Sequence, residues 1–146
     1  MTPLLAALLA SQVIAIRAGR VLDPATASAS LNQIILVQSG RIGAIGPNVA
    51  IPPGATVYDL STATVIPGLI DAHVHLAIGG PPRANALADL RAGFTTVIDL
   101  GARTTRLLRI RDPINAGQIP GSRGYAAGIW GGGQGGVCGV GGDGVV

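Results

Sequence analysis

The chain contains no lysine and no glutamate, so ten arginines and seven aspartates carry its formal side-chain charge, for a net +3. These absences remove chemistry. A lysine Schiff base, a carbamylated lysine bridging two metal ions and a glutamate acid or base each need a residue that this chain does not supply. The one cysteine, Cys138, excludes an internal disulfide framework and reads as a free thiol in a loop. Aromatic residues make up only 3% of the chain, so the 48% hydrophobic fraction implies a core of Ala, Val, Ile and Leu. With few rings for stacking and arginines scattered from Arg17 to Arg123 without a run, no nucleic-acid partner is expected.

Long apolar runs are also missing. Residues 4–10, Leu-Leu-Ala-Ala-Leu-Leu-Ala, are too short to span a membrane. No basic residue precedes them and no clean Ala-x-Ala follows, so residues 1–12 read as a surface-packed helix or a weak leader. A cytoplasmic protein is therefore favoured over an exported one.

From Val13 the pattern becomes strand-like. Val13-Ile14-Ala15-Ile16 leads through Gly19 to Val21-Leu22, a first strand or short hairpin, and Asp23-Pro24 gives a turn. Residues 33–38 and 41–46 flank Ser39-Gly40, a two-residue loop suited to a tight hairpin. Pro47 and Pro52-Pro53-Gly54 end that hairpin, and residues 56–60 and 63–66 add two more strand-like segments. Residues 13–66 thus form a small β unit whose short strands need something to pack against.

Both histidines lie in Pro67-Gly68-Leu69-Ile70-Asp71-Ala72-His73-Val74-His75-Leu76-Ala77. On a strand, side chains alternate between faces, so Leu69, Asp71, His73 and His75 share one side and Ile70, Ala72, Val74 and Leu76 the other. Imidazoles at i and i+2 then converge on one volume, whereas a helix would splay them by roughly 200°. The spacing suits a metal ion only on a strand.

Helices and strands alternate after this stretch. Pro81-Pro82 opens a helix through Arg91-Ala92 that Gly93 closes, with Leu87 and Leu90 on one side. Residues 94–100 form a buried strand with Asp99 at its C-terminal end. Thr104 or Thr105 can cap a second helix carrying Leu107, Leu108 and Ile110. Pro113 predicts a kink, or a restart with Asp112 as N-cap, before Gly117 ends the helix. A third strand is expected around residues 124–127, entered through Pro120-Gly121. Such alternation indicates parallel βαβ units. Between Gly124 and Val146, eleven of twenty-three residues are glycine, so 124–146 reads as a loosely packed tail. It lacks the Gly-x-Gly-x-x-Gly and Gly-Lys-Ser/Thr contexts of a phosphate loop.

The segment from Val65 to Leu76 resembles the amidohydrolase superfamily of metal-dependent hydrolases. Residues 91–101, Arg-Ala-Gly-Phe-Thr-Thr-Val-Ile-Asp-Leu-Gly, and 115–123, Asn-Ala-Gly-Gln-Ile-Pro-Gly-Ser-Arg, are similar to its branch of imidazolonepropionase-like enzymes and Xaa-Pro dipeptidases. The resemblance implies an α/β fold: the N-terminal half of a β-sandwich over 13–66, then the first two to three βα units of an incomplete (β/α)8 barrel over 67–123. It implies His73 and His75 as ligands of a divalent metal, zinc before others, with one or two ions in the complete site. Asp71 would orient one of these ligands or support the strand, and Asp99, at the end of its strand where a barrel gathers its catalytic groups, would either stand behind the site or cap the next loop or pair with Arg103. The implied substrate is a small amide, cyclic amide or dipeptide, attacked at a C–N bond by metal-activated water.

A whole barrel takes about 250 residues, and only about 80 follow Val65. The chain is therefore expected to be part of a longer hydrolase, inactive alone and prone to self-association through open barrel edges. The alternative is a non-catalytic β-rich interaction fragment with no essential metal. Trp130 would be a substrate wall only in the complete protein, and Arg123 reads as solvated.

Overall fold

The computed structural model describes residues 13–102 and 105–129. The segment 1–12, Arg103, Thr104, Trp130 and Cys138, with the readings attached to them, lie outside the described residues. So does most of the glycine-rich tail. Two compact units divide between Pro67 and Gly68.

The first unit is a four-stranded sheet of β1 (Val13–Asp23), β2 (Ser28–Gln38), β3 (Arg41–Gly46) and β4 (Thr56–Val65), ordered β3-β2-β1-β4. The β1–β2 and β2–β3 pairs are antiparallel and β1–β4 is parallel. Where the sequence allowed a short hairpin, β1 runs as one strand of eleven residues. Its turn to β2 is built on Asp23, whose carboxyl accepts the Thr26 hydroxyl and the Ala25 amide, each at 2.9 Å. The Thr26 bond first, then the Ala25 bond, hold this carboxyl below the usual carboxylate range.

The hairpin at Ser39-Gly40 forms as expected, with Gln38 opposite Arg41. Both loop residues have positive φ, 52° and 72°, the condition for a type I′ turn that matches strand twist. The two segments expected at 56–60 and 63–66 are joined into one strand by an irregularity: Ala18 pairs with Leu60, but Arg20 pairs with Thr64. Gly19 makes this possible, because a Cβ there would collide with the Ser61 carbonyl. Ala15, Ala18 and Ile35 are the buried apolar residues of the sheet.

The second unit is β5 (Leu69–Val74), α1 (Pro82–Arg91), β6 (Phe94–Asp99), α2 (Leu108–Asn115) and β7 (Arg123–Ala126). Its strands form a parallel sheet in the order β5-β6-β7. The expected strand–helix alternation is present. Helix α1 packs on β6 and α2 on β7. Leu76, Ala86, Val97, Leu107 and Ile114 make the core, with Val74, Phe94, Ile110 and Ile119 against it. Leu87 and Leu90 are half-buried, and Ala86 is the fully buried residue of α1.

Of the alternatives offered for helix α2, the restart at Asp112 and the Thr105 cap do not occur. Asp112 does not restart it; Pro113 lies inside α2, and the Asp112 carboxyl accepts Arg111 Nε at 2.7 Å instead of capping. Nor does Thr105 cap it through its side chain: Leu107 is the N-cap, and the Thr105 carbonyl accepts the Leu108 amide. Only three residues of α2 reach past Asp112, so the hydrogen bond that proline removes lies one turn from an end. Gly117, at φ 70°, ends the helix as expected. No helix among the described residues is long and apolar enough to cross a membrane.

Candidate metal-binding site

The approach to the histidines is set by close packing at Gly68, where a Cβ would run into the Thr95 side chain. The Leu69 amide donates to the Gly93 carbonyl at 2.9 Å, which starts β5 beside β6. Two register shifts follow, between Leu69 and Ile70 and between Asp71 and Val74. They break strict alternation. Val74 and Leu76 pack into the core as expected for one face, but Ile70 is 67% exposed.

His73 lies on β5, whereas His75 lies just past its end, in a turn closed by the Ile78 amide on the His75 carbonyl at 3.1 Å. The two rings nevertheless come together, with centroids 5.2 Å apart and planes at 79°. His73 is exposed and His75 half-buried. Asp71 meets no ring through its assigned bond: its Oδ1 accepts the His73 amide at 2.9 Å, bracing the main chain at the histidine.

His75 is held more tightly. Its Nδ1 lies 2.7 Å from the Gly101 carbonyl oxygen. A carbonyl carries no proton, so Nδ1 is the donor in this bond, and a neutral ring that makes it keeps its lone pair on Nε2. Asp99 is 1% exposed and accepts two amides, Leu76 at 2.6 Å and Gly101 at 2.7 Å. It is a buried anchor for the two loops that leave β5 and β6. From α1, Asn85 donates to the Leu76 carbonyl at 2.7 Å, so the turn after His75 is gripped at both its amide and its carbonyl.

Asp89 borders the same turn, in a hollow of about 300 Å³ shared with His75, Asn85 and Ala88. Burial first, and the neighbouring Asp71 second, push its carboxyl above the usual range. Among the described residues, no group of three or more His, Cys, Asp or Glu side chains is arranged to hold a metal ion. Among the described residues, the candidate donors that come together are the two imidazoles.

Sequence reasoning passed over Asn85 and Gly101. Their signals were present but faint. Asn85 follows Pro81-Pro82 by one turn, and Gly101 closes the Asp99-Leu100-Gly101 segment. Arg123 is exposed, as read.

No protein-family model matches the chain. A dihydroorotase of Geobacter sulfurreducens is 45% identical over 89 residues, covering 56% of this chain and 20% of the relative. An imidazolonepropionase of Polaromonas sp. is 38% identical over 78 residues, covering 51% and 18%. The chain thus spans about a fifth of the length of these curated relatives. Among solved structures, one described as a prolidase of Bifidobacterium longum superposes with TM-score 0.73 at 30% identity, covering 86% of this chain and 33% of the other. A Xaa-Pro dipeptidase with bound methionine gives 0.65 at 27%, covering 80% and 33%. Similarity in sequence to these relatives and in backbone to these solved structures supports the amidohydrolase superfamily as the family of this chain.

Proposed function

We propose that the chain is part of a metal-dependent hydrolase of carbon–nitrogen bonds, to which His73 and His75 contribute two imidazole ligands for a divalent ion, zinc before others. The observation that carries this reading is the meeting of the two rings, 5.2 Å apart between centroids. The Gly101 carbonyl supports it, since a neutral His75 ring that makes this bond keeps its lone pair on Nε2, the form that binds metals. A bound divalent ion in such a site lowers the pKa of water and polarises a carbonyl. The chain's own part is to present the imidazoles and fix their orientation. Asp71 braces the His73 main chain and Asp99 the loops around His75.

The names of the relatives, dihydroorotase, imidazolonepropionase and Xaa-Pro dipeptidase, support a small amide, cyclic amide or dipeptide as substrate. We infer that β5 to β7 with their helices are the opening two to three units of a (β/α)8 barrel, and that β1 to β4 belong to its β-sandwich. Two imidazoles fill half of a tetrahedral site. The isolated chain is accordingly expected to turn over no amide.

One observation favours the alternative of a β-rich interaction fragment without essential metal: no third ligand stands beside the pair among the described residues. Metal analysis of the purified chain separates the two. Near-stoichiometric zinc that is lost in both His73→Ala and His75→Ala supports the ligand reading. Zinc that is absent from the unmodified chain, or indifferent to both substitutions, defeats it.

A further inference from the structure

We propose that Asp99 is a positioning residue for His75, acting through the Gly101 main chain to set which ring nitrogen of His75 carries the proton. The consequence for metal binding rests on the ligand reading above; the geometry does not.

The connection is a closed circuit. One carboxyl oxygen of Asp99 accepts the amide of Leu76, the residue bonded to His75, at 2.6 Å. The other accepts the Gly101 amide at 2.7 Å. The carbonyl of that same Gly101 lies 2.7 Å from His75 Nδ1. One side chain therefore fixes both the main chain that carries the imidazole and the acceptor that orients it. Asp99 is 1% exposed, so water does not compete for either oxygen.

Neighbouring bonds restrict the circuit further. The Leu100 amide donates to the Val74 carbonyl at 3.1 Å, tying the two strand ends directly. Asn85 holds the Leu76 carbonyl. Both of these bonds end on main-chain carbonyls. If Asp99 merely closed the strand ends, its loss would loosen the loops and leave the ring proton where it was. As a positioning residue, its loss moves the proton.

The circuit differs from the treatment of His73. There Asp71 reaches only the main-chain amide, and the ring is exposed. The two imidazoles are thus held to different degrees, and the tautomer lock applies to His75.

The test uses the full chain labelled with 15N-histidine, which contains only two imidazoles. Long-range 1H–15N spectra read the protonation of each ring nitrogen, and His73→Ala assigns the signals. We expect His75 to be protonated on Nδ1 in the unmodified chain. In Asp99→Asn, which keeps the shape but can accept only one of the two amides, His75 should pass to an exchanging mixture of tautomers while His73 is unchanged. Zinc affinity should fall by about 10–100-fold, the usual loss when a ligand's supporting partner is removed.

A His75 that stays locked on Nδ1 in Asp99→Asn overturns the proposal, as does an unmodified chain with the His75 proton on Nε2. Should the variant not fold, the unmodified chain still decides through hydrogen exchange: Leu76 and Gly101 amides exchanging at open-loop rates overturn it, and joint protection with the Nδ1 proton supports it. A locked tautomer released by Asp99→Asn in a chain that binds no zinc upholds the positioning role and refutes the ligand reading instead.

Discussion

Asn115 and Gly124 are joined by two hydrogen bonds, the Asn115 amide nitrogen donating to the Gly124 carbonyl and the Gly124 amide donating to Asn115 Oδ1, each at 2.9 Å. The last residue of α2 thereby fastens the helix to β7 by serving a strand residue as both donor and acceptor. Gly124 is buried, so its main-chain groups have no water to turn to if the side chain is removed. Asn115→Ala should destabilise the chain by about 1–3 kcal/mol, the cost of leaving buried polar groups unpaired. Urea unfolding monitored by far-UV circular dichroism checks this. A midpoint unchanged from the parent would mean that the helix and strand are held by Ile114 and its neighbours alone.

Gly19 is the second position where geometry dictates the residue. The β1–β4 register breaks between Ala18 and Arg20, and a Cβ at Gly19 would meet the Ser61 carbonyl, a main-chain atom that cannot swing aside. Gly19→Ala should cost about 1–3 kcal/mol through overpacking. The control is Gly43→Ala, whose added methyl would meet nothing within 4 Å. Equal thermal midpoints for the two variants would refute the steric account.

The Ser39-Gly40 turn predicts a pair of opposite effects. Both residues have positive φ, which Asn tolerates better than Ser, and an added methyl at Gly40 meets only its own backbone. Ser39→Asn should raise stability slightly, while Gly40→Ala should lower it by about 1–2 kcal/mol, the penalty of a left-handed L-residue. Measured changes of the same sign would show that the turn is not what limits the hairpin.

Asp89 predicts a pH dependence. Burial and Asp71 raise its folded-state pKa above the ordinary 3.8, so the folded chain holds this proton more tightly than the unfolded one. That contribution favours folding below the unfolded value and is lost as pH rises through the folded value. At neutral pH the ionised carboxylate therefore opposes folding, and its place near the C-terminal end of α1 adds to the effect. Asp89→Asn should be the more stable protein at pH 7, with the advantage shrinking toward pH 3. A pH-independent difference in urea midpoint would rule out this origin.

The sequence was sufficient for the local grammar. Turn residues at Asp23, Ser39-Gly40, Gly93 and Gly117 fall where the chain reverses or a helix stops, because each supplies a local side-chain acceptor or a positive φ that no distant partner needs to arrange. Alternating apolar segments after residue 67 were enough to recognise strand–helix repetition. The pair His73 and His75 was legible from its spacing, although His75 lies in the turn just past β5 rather than on the strand.

Tertiary structure decided the rest. Joining residues 56–65 into one strand depended on a partner strand far away in sequence, with Gly19 leaving room for the Ser61 carbonyl. Asp99 and Gly101 became the support of His75 only when parallel pairing set the end of β6 beside the end of β5, 23 and 26 residues from their partners. A carboxyl group reads the same in sequence whether it faces water or two buried amides. What distinguishes the cases is the set of amides that the fold leaves within 3 Å of it, and that set is fixed by long-range packing.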